Sequence, residues 1–359
     1  MSAPDVAVVG GGIVGCSLAA LLAEGGASVR LYEREAIAAA ASGRNSGALQ
    51  HPMDEVLLPL HEDSLELYAG LGHGFEMPAG PAGLLVVSED PAALQPGRAA
   101  IVARFPELGA EWLEGAALAA AEPRLGAGLT GFRLATGRPV PPAAAARAWA
   151  DRAQAAGAEI RLVAVERVQR RGRVVVDGEV ERADVAVVAA GPWTPALVDP
   201  SGRWRPIVPN WGVVVEVRLP EPPSHMVEQA GIEDIATPGG APQSIFSIVT
   251  AGGVSAVGST FLPEEPEPAD LAPVLLERGA RFLPALAEAR ASSGRACARP
   301  QSLDGRPLLG PVDDGLYVAA GHGPWGISLG PGSARLVADA VLGRRTEIPP
   351  ELAATRFGS

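Results

Sequence analysis

The chain has 359 residues, 47 % of them hydrophobic, which is enough to bury a sizeable core and too long for one ordinary domain. A formal net charge of −12 excludes a binder of nucleic-acid backbones, and no basic stretch with interleaved aromatics offsets it. All 29 Lys+Arg positions are arginine, which removes lysine Schiff bases, phosphate-loop lysines and lysine general bases from the chemistry.

Residues 5–9 (Asp-Val-Ala-Val-Val) predict a short buried strand, followed at once by Gly10-Gly11-Gly12-Ile13-Val14-Gly15. A helix is expected over about 14–24, with Leu18, Leu21 and Leu22 on one face and Gly25-Gly26 as its stop. A second strand over 27–33 ends in Glu33, which completes a βαβ start. The same glycines make the apolar run neither a signal peptide nor a membrane span. Two cysteines, Cys16 and Cys297, cannot staple a chain of this length, so a reducing cytoplasm is the expected compartment.

Residues 38–47 form a small-residue, turn-rich segment, and 55–72 predict a helix. From 75 to about 142, short strands alternate with helix fragments. A helix is expected over 142–157 and strands over 158–168, 174–177 and 183–189. Strands dominate from 205 to about 290, for example 212–217 and 245–249; residues 263–268 read as a loop. A last strand (315–321) precedes a last helix (327–341). No internal repeat and no metal-ligand cluster stands out, and Arg170, Arg171 and Arg173 read as a solvated hairpin turn. The fold class is α/β with an α+β second domain. Residues 1–55, 140–204 and 291–359 are expected to build a Rossmann-type domain. It is interleaved with a mixed or antiparallel-sheet substrate domain from 56–139 and 205–290.

Gly10, Gly12 and Gly15 form Gly-x-Gly-x-x-Gly: a tight turn, a close approach for pyrophosphate, and helix–strand packing. The helix start supplies free N–H groups for phosphate. Glu33, at the end of the second strand, suits the ribose hydroxyls and argues against the 2′-phosphate of NADP. Gly321-His322-Gly323-Pro324-Trp325-Gly326, just before the last apolar helix, is a second anion-ready helix start.

The whole sequence resembles the D-amino-acid oxidase-like superfamily of FAD enzymes, in particular its glycine oxidase and sarcosine oxidase branch. Four segments carry the resemblance: residues 6–33; Ser42-Gly43-Arg44-Asn45-Ser46-Gly47; residues 183–193 with their Ala-Ala-Gly-Pro-Trp end; and Arg299-Pro300-x-x-x-Asp304-Gly305-Arg306-Pro307 with Gly321-His322-Gly323. It implies a non-covalent FAD. Gly10, Gly12, Ile13, Val14 and Gly15 lie at the pyrophosphate, and Glu33 and Arg34 flank the adenosine ribose. Ser42 to Gly47 pass beside the pyrophosphate and flavin, and Val165 holds adenine through its backbone. Ala190, Gly191 and Trp193 cover the cofactor. Gly321, Gly323, Gly326, Ile327 and Ser328 bring the last helix to the flavin N1/C2=O edge, where charge develops on reduction.

On residues alone, Arg299 reads as a salt-bridge partner for one of 41 acids; the resemblance gives it the substrate carboxylate instead. His322 and His51 are candidate flavin or substrate contacts, against the plainer reading of structural histidines. Phe246, Trp211 and Trp325 are candidate pocket aromatics, against core packing. Cys297 matches the register of the cysteine that holds flavin covalently in sarcosine oxidase-like enzymes; a small buried Cys is the alternative. Cys16 reads as packing and Arg306 as structural. Some members of the branch carry a second arginine near the site, and its absence here points to a different or larger substrate.

The implied activity is FAD-dependent oxidation of the C–N bond of an amino acid or N-alkyl amino acid. Hydride passes to flavin N5, and the imine formed then hydrolyses. The sarcosine oxidase-like branch activates oxygen with a lysine, which this chain lacks, so oxygen and another electron acceptor both remain open. Two other readings stand beside it: a 2-hydroxy acid oxidase or dehydrogenase, which needs a base such as His, and an FAD-bearing assembly subunit. Gly321-His322-Gly323 argues against an aromatic hydroxylase. The expected partners are a carboxylate-bearing amine and an electron acceptor, with no nucleic acid and no membrane span; a homo-oligomer is compatible with the reading.

Overall fold

The computed structural model describes residues 5–231, 233–234, 243–345 and 347–358. The opening strand, Asp5–Val9, lies at the centre of a six-stranded sheet. Parallel neighbours Val185–Val188 and Leu316–Ala320 extend it on one side, and Ser28–Glu33 and Glu159–Leu162 on the other; Leu308–Asp313 closes one edge antiparallel. Strand alternation assigns the two faces. Val6 and Val8 join the core under the helices Ile13–Glu24, Pro142–Ala155 and Gly326–Val341. Ala7 and Val9 pack under a three-stranded antiparallel sheet formed by Val165–Gln169, Arg173–Val176 and Glu179–Arg182. The strand expected over 158–168 is therefore two strands in two different sheets. Arg171 sits at the turn of the second, with Arg171 Nε 3.2 Å from Asp314.

The other large sheet has nine strands, and Ser293–Ser302 at one edge pairs with Ile207–Val217 from Ile207↔Ser302 to Glu216↔Ser293. By its hydrogen bonds, Ser293–Ser302 belongs to this second sheet, whereas the sequence reading puts everything from 291 onward with the first. One face of this sheet is a dry core. Val213, Val215, Val227, Ile248 and Val257 pack there against Leu271 and Leu275 of the helix Pro268–Ala280. That helix, and Pro91–Arg104, lie in segments whose prolines and alanines mask a helical period in the sequence. The opposite parity turns Gly212, Val214, Cys297 and Arg299 toward the first sheet, and a cleft runs between the two. Among the described residues, no helix is long and apolar enough to cross a membrane, and no group of three or more His, Cys, Asp or Glu could hold a metal ion.

Candidate active site

The cleft begins at the glycine turn. Gly10 has φ +116°, and a Cβ there would lie 2.5 Å from the Ala189 carbonyl oxygen. A Cβ on Gly15 would lie 1.9 Å from the Gly10 carbonyl oxygen, so helix and turn touch backbone to backbone. The Gly11 N–H donates to Glu33 Oε2 (2.7 Å), and the Glu35 N–H donates to Glu33 Oε1 (2.9 Å). These bonds hold the Glu33 carboxylate at the end of its strand. Ser42 Oγ accepts from the Ile13 N–H (2.9 Å), one of the free amides of the helix start.

A cavity of about 370 Å³ runs from this turn in two directions. Toward one end it is lined by Glu33, Val165 and the stacked pair Arg34 and Trp193, with the guanidinium 4.1 Å from the ring centre. Ala190 and Gly191 lie over its middle, opposite Gly12, Ile13, Val14 and Ser42. Toward the other end stand Asn45, Cys297, Arg299, His322, Gly323, Gly326 and Ile327. The remaining expected cofactor residues shape the wall without lining it. Gly43 and Gly47 run so close to neighbouring backbone that a Cβ would lie 2.2 Å from the Ala38 oxygen or 2.1 Å from the Val140 oxygen. The carbonyls of Arg44 and Asn45 accept from Arg295 (3.1 Å each). Ser46 is half-buried between Asn45 and Gly47, Gly321 turns with φ +85° against Leu308, and Gly15 lies beneath Gly10. Val163, Ala196 and Leu197 also line the cavity, with no signal in the sequence to mark them.

The last helix is held in place by a break in its own hydrogen bonding. Pro331 has no N–H, so the Ile327 carbonyl loses its helical donor. Tyr68 Oη donates to that carbonyl (2.9 Å), Ser64 Oγ accepts from the Gly332 N–H (2.9 Å), and His61 Nδ1 donates to the Ser328 carbonyl (3.3 Å). His61, Ser64 and Tyr68 fall on one face of the helix Leu58–Ala69, at the i, i+3, i+7 spacing. The two helices touch where Gly332 meets the Leu60 carbonyl: a Cβ there would lie 2.1 Å away. Ser328 Oγ donates to the Ala48 carbonyl (3.3 Å) and accepts from the Gln50 N–H (3.1 Å), tying the turn after residue 47 to the same helix start.

Arg299 is half-buried and its side chain lies flat over Gly212, whose absent Cβ leaves the room: one built there would lie 2.1 Å from Arg299 Nη2. Nη1 donates to the Thr260 carbonyl (2.8 Å), Nη2 donates to Ser259 Oγ, and the guanidinium stacks 5.0 Å from the Phe261 ring centre. Among the described residues no carboxylate lies within ion-pair distance of it. Burial pushes its pKa below the ordinary arginine value. Cys297, a free thiol two residues earlier on the same face, is pushed up by burial and pulled down by the nearby Arg299. Arg306 pairs with Asp54 (3.0 Å), outside the cavity.

Four expected pocket residues sit elsewhere. Trp211 and Phe246 have the wrong strand parity for the cleft. Both face the dry core, where Phe246 stacks on Phe282 with ring centres 4.9 Å apart. Trp325 points away from the cavity and packs against the core beneath the last helix. His51 lies in a separate groove between His61 (5.9 Å) and Phe105 (4.9 Å), with its Nδ1 accepting from the Met53 N–H (3.1 Å). His322 does line the cavity, but its Nε2 is engaged with Ser333 Oγ (3.0 Å), and burial lowers its pKa to about 4, so the ring is neutral.

A glycine-floored cleft that ends at a cation with no acid partner among the described residues is the site of a dinucleotide-binding protein of the Rossmann class. The chain belongs to the DAO family of FAD dependent oxidoreductases, whose pattern it matches over residues 5–340. It is 29 % identical to the glycine oxidase of Geobacillus kaustophilus over 373 aligned positions, covering 95 % of this chain and 94 % of the relative. The crystal structure of glycine oxidase from Geobacillus kaustophilus superposes with TM-score 0.82 at 25 % identity, over 100 % of this chain and 98 % of that one. Iminodiacetate oxidase from Chelativorans sp. BNC1 superposes with TM-score 0.80 at 25 % identity, covering 97 % and 98 %. A D-amino acid dehydrogenase of Methylobacterium nodulans is 34 % identical over 177 residues, so the match spans only 48 % of this chain and 40 % of that protein. The cleft fits FAD: Gly10, Gly12 and Gly15 hold the turn and helix start against neighbouring groups that any Cβ would strike, which leaves the first amides open to a pyrophosphate, and Glu33 lines the end where an adenosine ribose would lie.

Proposed function

We propose that the chain oxidises the C–N bond of an amino acid or N-alkyl amino acid to an imine, which then hydrolyses. The observation that carries this reading is the Arg299 guanidinium, which faces the cavity with no acid partner among the described residues. A planar guanidinium in a water-poor pocket takes a carboxylate through two parallel hydrogen bonds. When bound, FAD supplies the acceptor for the hydride that leaves the substrate carbon.

Arg299 orients the substrate by its carboxylate, and the sheet around Gly212 and Thr260 fixes Arg299 in turn. The last helix points its first amides into the same end of the cavity, a setting suited to negative charge. A neutral amine needs no base for hydride loss. A hydroxyl does, and the two candidate bases serve that reading poorly: His322 is engaged with Ser333, and His51 lies outside the cavity. This supports the amine over the hydroxy acid. The reduced cofactor returns to its oxidised form with oxygen or with another acceptor.

The test is anaerobic bleaching of the flavin absorbance by amino acids, N-methyl amino acids and 2-hydroxy acids. Bleaching by an amine panel member supports the proposal. Bleaching by hydroxy acids alone overturns it. Reoxidation by air against reoxidation by a dye then identifies the acceptor.

A further inference from the structure

A second cavity, of about 550 Å³, opens beside the start of the last helix and shares no lining residue with the cofactor cleft. Its walls are largely apolar, built from Leu49, Leu58, Leu65, Phe105 and Leu108. His51 lines it and is only 6 % exposed. Because the Met53 N–H donates to Nδ1 (3.1 Å), the ring proton of the neutral histidine sits on Nε2. Burial holds the ring below the ordinary histidine value, which keeps it neutral.

That Nε2–H is buried and has no hydrogen-bond partner among the described residues. Glu107, an exposed side chain lining the same cavity, stands 3.9 Å from it, beyond hydrogen-bond reach. An unspent donor therefore faces the cavity. Beside it, Thr136 Oγ1 accepts from the His51 N–H (2.8 Å), which leaves its own proton to donate.

These features select a ligand. The volume suits a ring compound with apolar substituents. The donors call for an acceptor oxygen. Glu62 and Glu107, both near the His51 ring, oppose an anion. The two arginines of the lining are spent, Arg104 on Glu55 (3.2 Å) and Arg138 on the Pro78 carbonyl (2.6 Å). A neutral carbonyl compound fits where a carboxylate does not. Its position gives it a role. His61 lines this cavity and bonds the Ser328 carbonyl (3.3 Å), and Ile327, the residue before Ser328, lines the cofactor cleft. One hydrogen bond and one residue join the two cavities.

We propose that this cavity binds a quinone ring, with a carbonyl oxygen on His51 Nε2–H, and that the quinone is the electron acceptor of the enzyme. The amine gives up two electrons and two protons to become the imine. The quinone takes up two electrons and two protons, both carbonyls become hydroxyls, and the cofactor ends unchanged. The proposal rests on the amine reading only for the source of the electrons, and the test supplies them another way.

The FAD-loaded enzyme is photoreduced without air or substrate and mixed with tetramethyl-1,4-benzoquinone, whose fully substituted ring does not add thiols. Stopped flow follows the return of oxidised flavin absorbance. The rate should saturate with quinone concentration. His51→Phe keeps a ring between His61 and Phe105 but removes the donor, and should raise the half-saturating concentration at least about tenfold. Ala135→Trp fills the same cavity from an exposed position and should do likewise, so the proposal stays testable where His51→Phe folds poorly. A rate that stays linear in quinone, no reoxidation at all, or a half-saturating concentration unchanged in either folded variant would each overturn the proposal. With no amine present, none of these outcomes bears on C–N oxidation, which stands or falls on its own bleaching test.

Discussion

Tyr68 donates a 2.9 Å hydrogen bond to the Ile327 carbonyl, the group that Pro331 deprives of its helical donor. The bond joins the helix Leu58–Ala69 to the first turn of the last helix, which lines the cofactor cleft. Tyr68→Phe leaves that carbonyl buried and unpaired. Loss of about 1–3 kcal/mol is expected, read from the urea midpoint of the holoprotein. An unchanged midpoint would show that another donor takes over.

Gly212→Ala tests the seat of Arg299. The new Cβ would lie 2.1 Å from Nη2, and the obstructed atoms belong to the end of a flexible side chain. The protein should stay folded and yellow while Arg299 is pushed off Thr260 and Ser259. A fall in kcat/KM of about 100-fold is expected, since misplacing a substrate-orienting group by an ångström costs that much. Wild-type kinetics in this variant would argue that Arg299 does not orient the substrate.

Gly15→Ala tests the cofactor cleft independently. A Cβ at 1.9 Å from the Gly10 oxygen must part helix from turn, with only backbone to yield. The variant should purify without flavin absorbance. Retention of stoichiometric FAD would contradict the assigned floor.

Cys297 lines the cavity as a free thiol whose pKa burial raises, a poor nucleophile. Acid precipitation should therefore leave all the flavin in the supernatant. Flavin in the pellet would mean that Cys297 is bonded to it.

Stability should fall on mild acidification. His61 and His322 are each lowered from 6.5 to about 4 by burial, so between those values the unfolded chain binds protons that the folded chain refuses. Their contribution is full above 6.5 and is lost as pH drops toward 4. Glu228, raised from 4.5 to about 7, acts in the opposite sense over much of that window. Two histidines against one carboxyl leave a net loss of about 1–2 kcal/mol between pH 7.5 and pH 5. Urea midpoints at pH 7.5 and pH 5 measure it; a higher midpoint at pH 5 would reverse the sign of the argument.

The nucleotide half of the site is legible in the sequence because its chemistry is local. Gly10 to Gly15 and Glu33 are specified by turn geometry and strand end within a single βαβ unit. The substrate half is assembled across strands, where parity and register decide. Trp211 and Phe246 look like pocket aromatics until the pairing Trp211↔Ala298 and the Phe246–Phe282 stack place them on the dry face. Gly212 under Arg299 carries no motif at all; only cross-strand pairing brings it into view. The separation of His51 from the cleft likewise depends on packing against Phe105, far along the chain.

The most direct test of the account is the affinity of the best amine substrate for anaerobic flavin reduction in Arg299→Leu. Loss of the charged pair should weaken it by about 2–5 kcal/mol, roughly 30-fold to several thousand-fold, with flavin content unchanged. Reduction at wild-type affinity and rate would contradict the assignment of Arg299 to the substrate carboxylate.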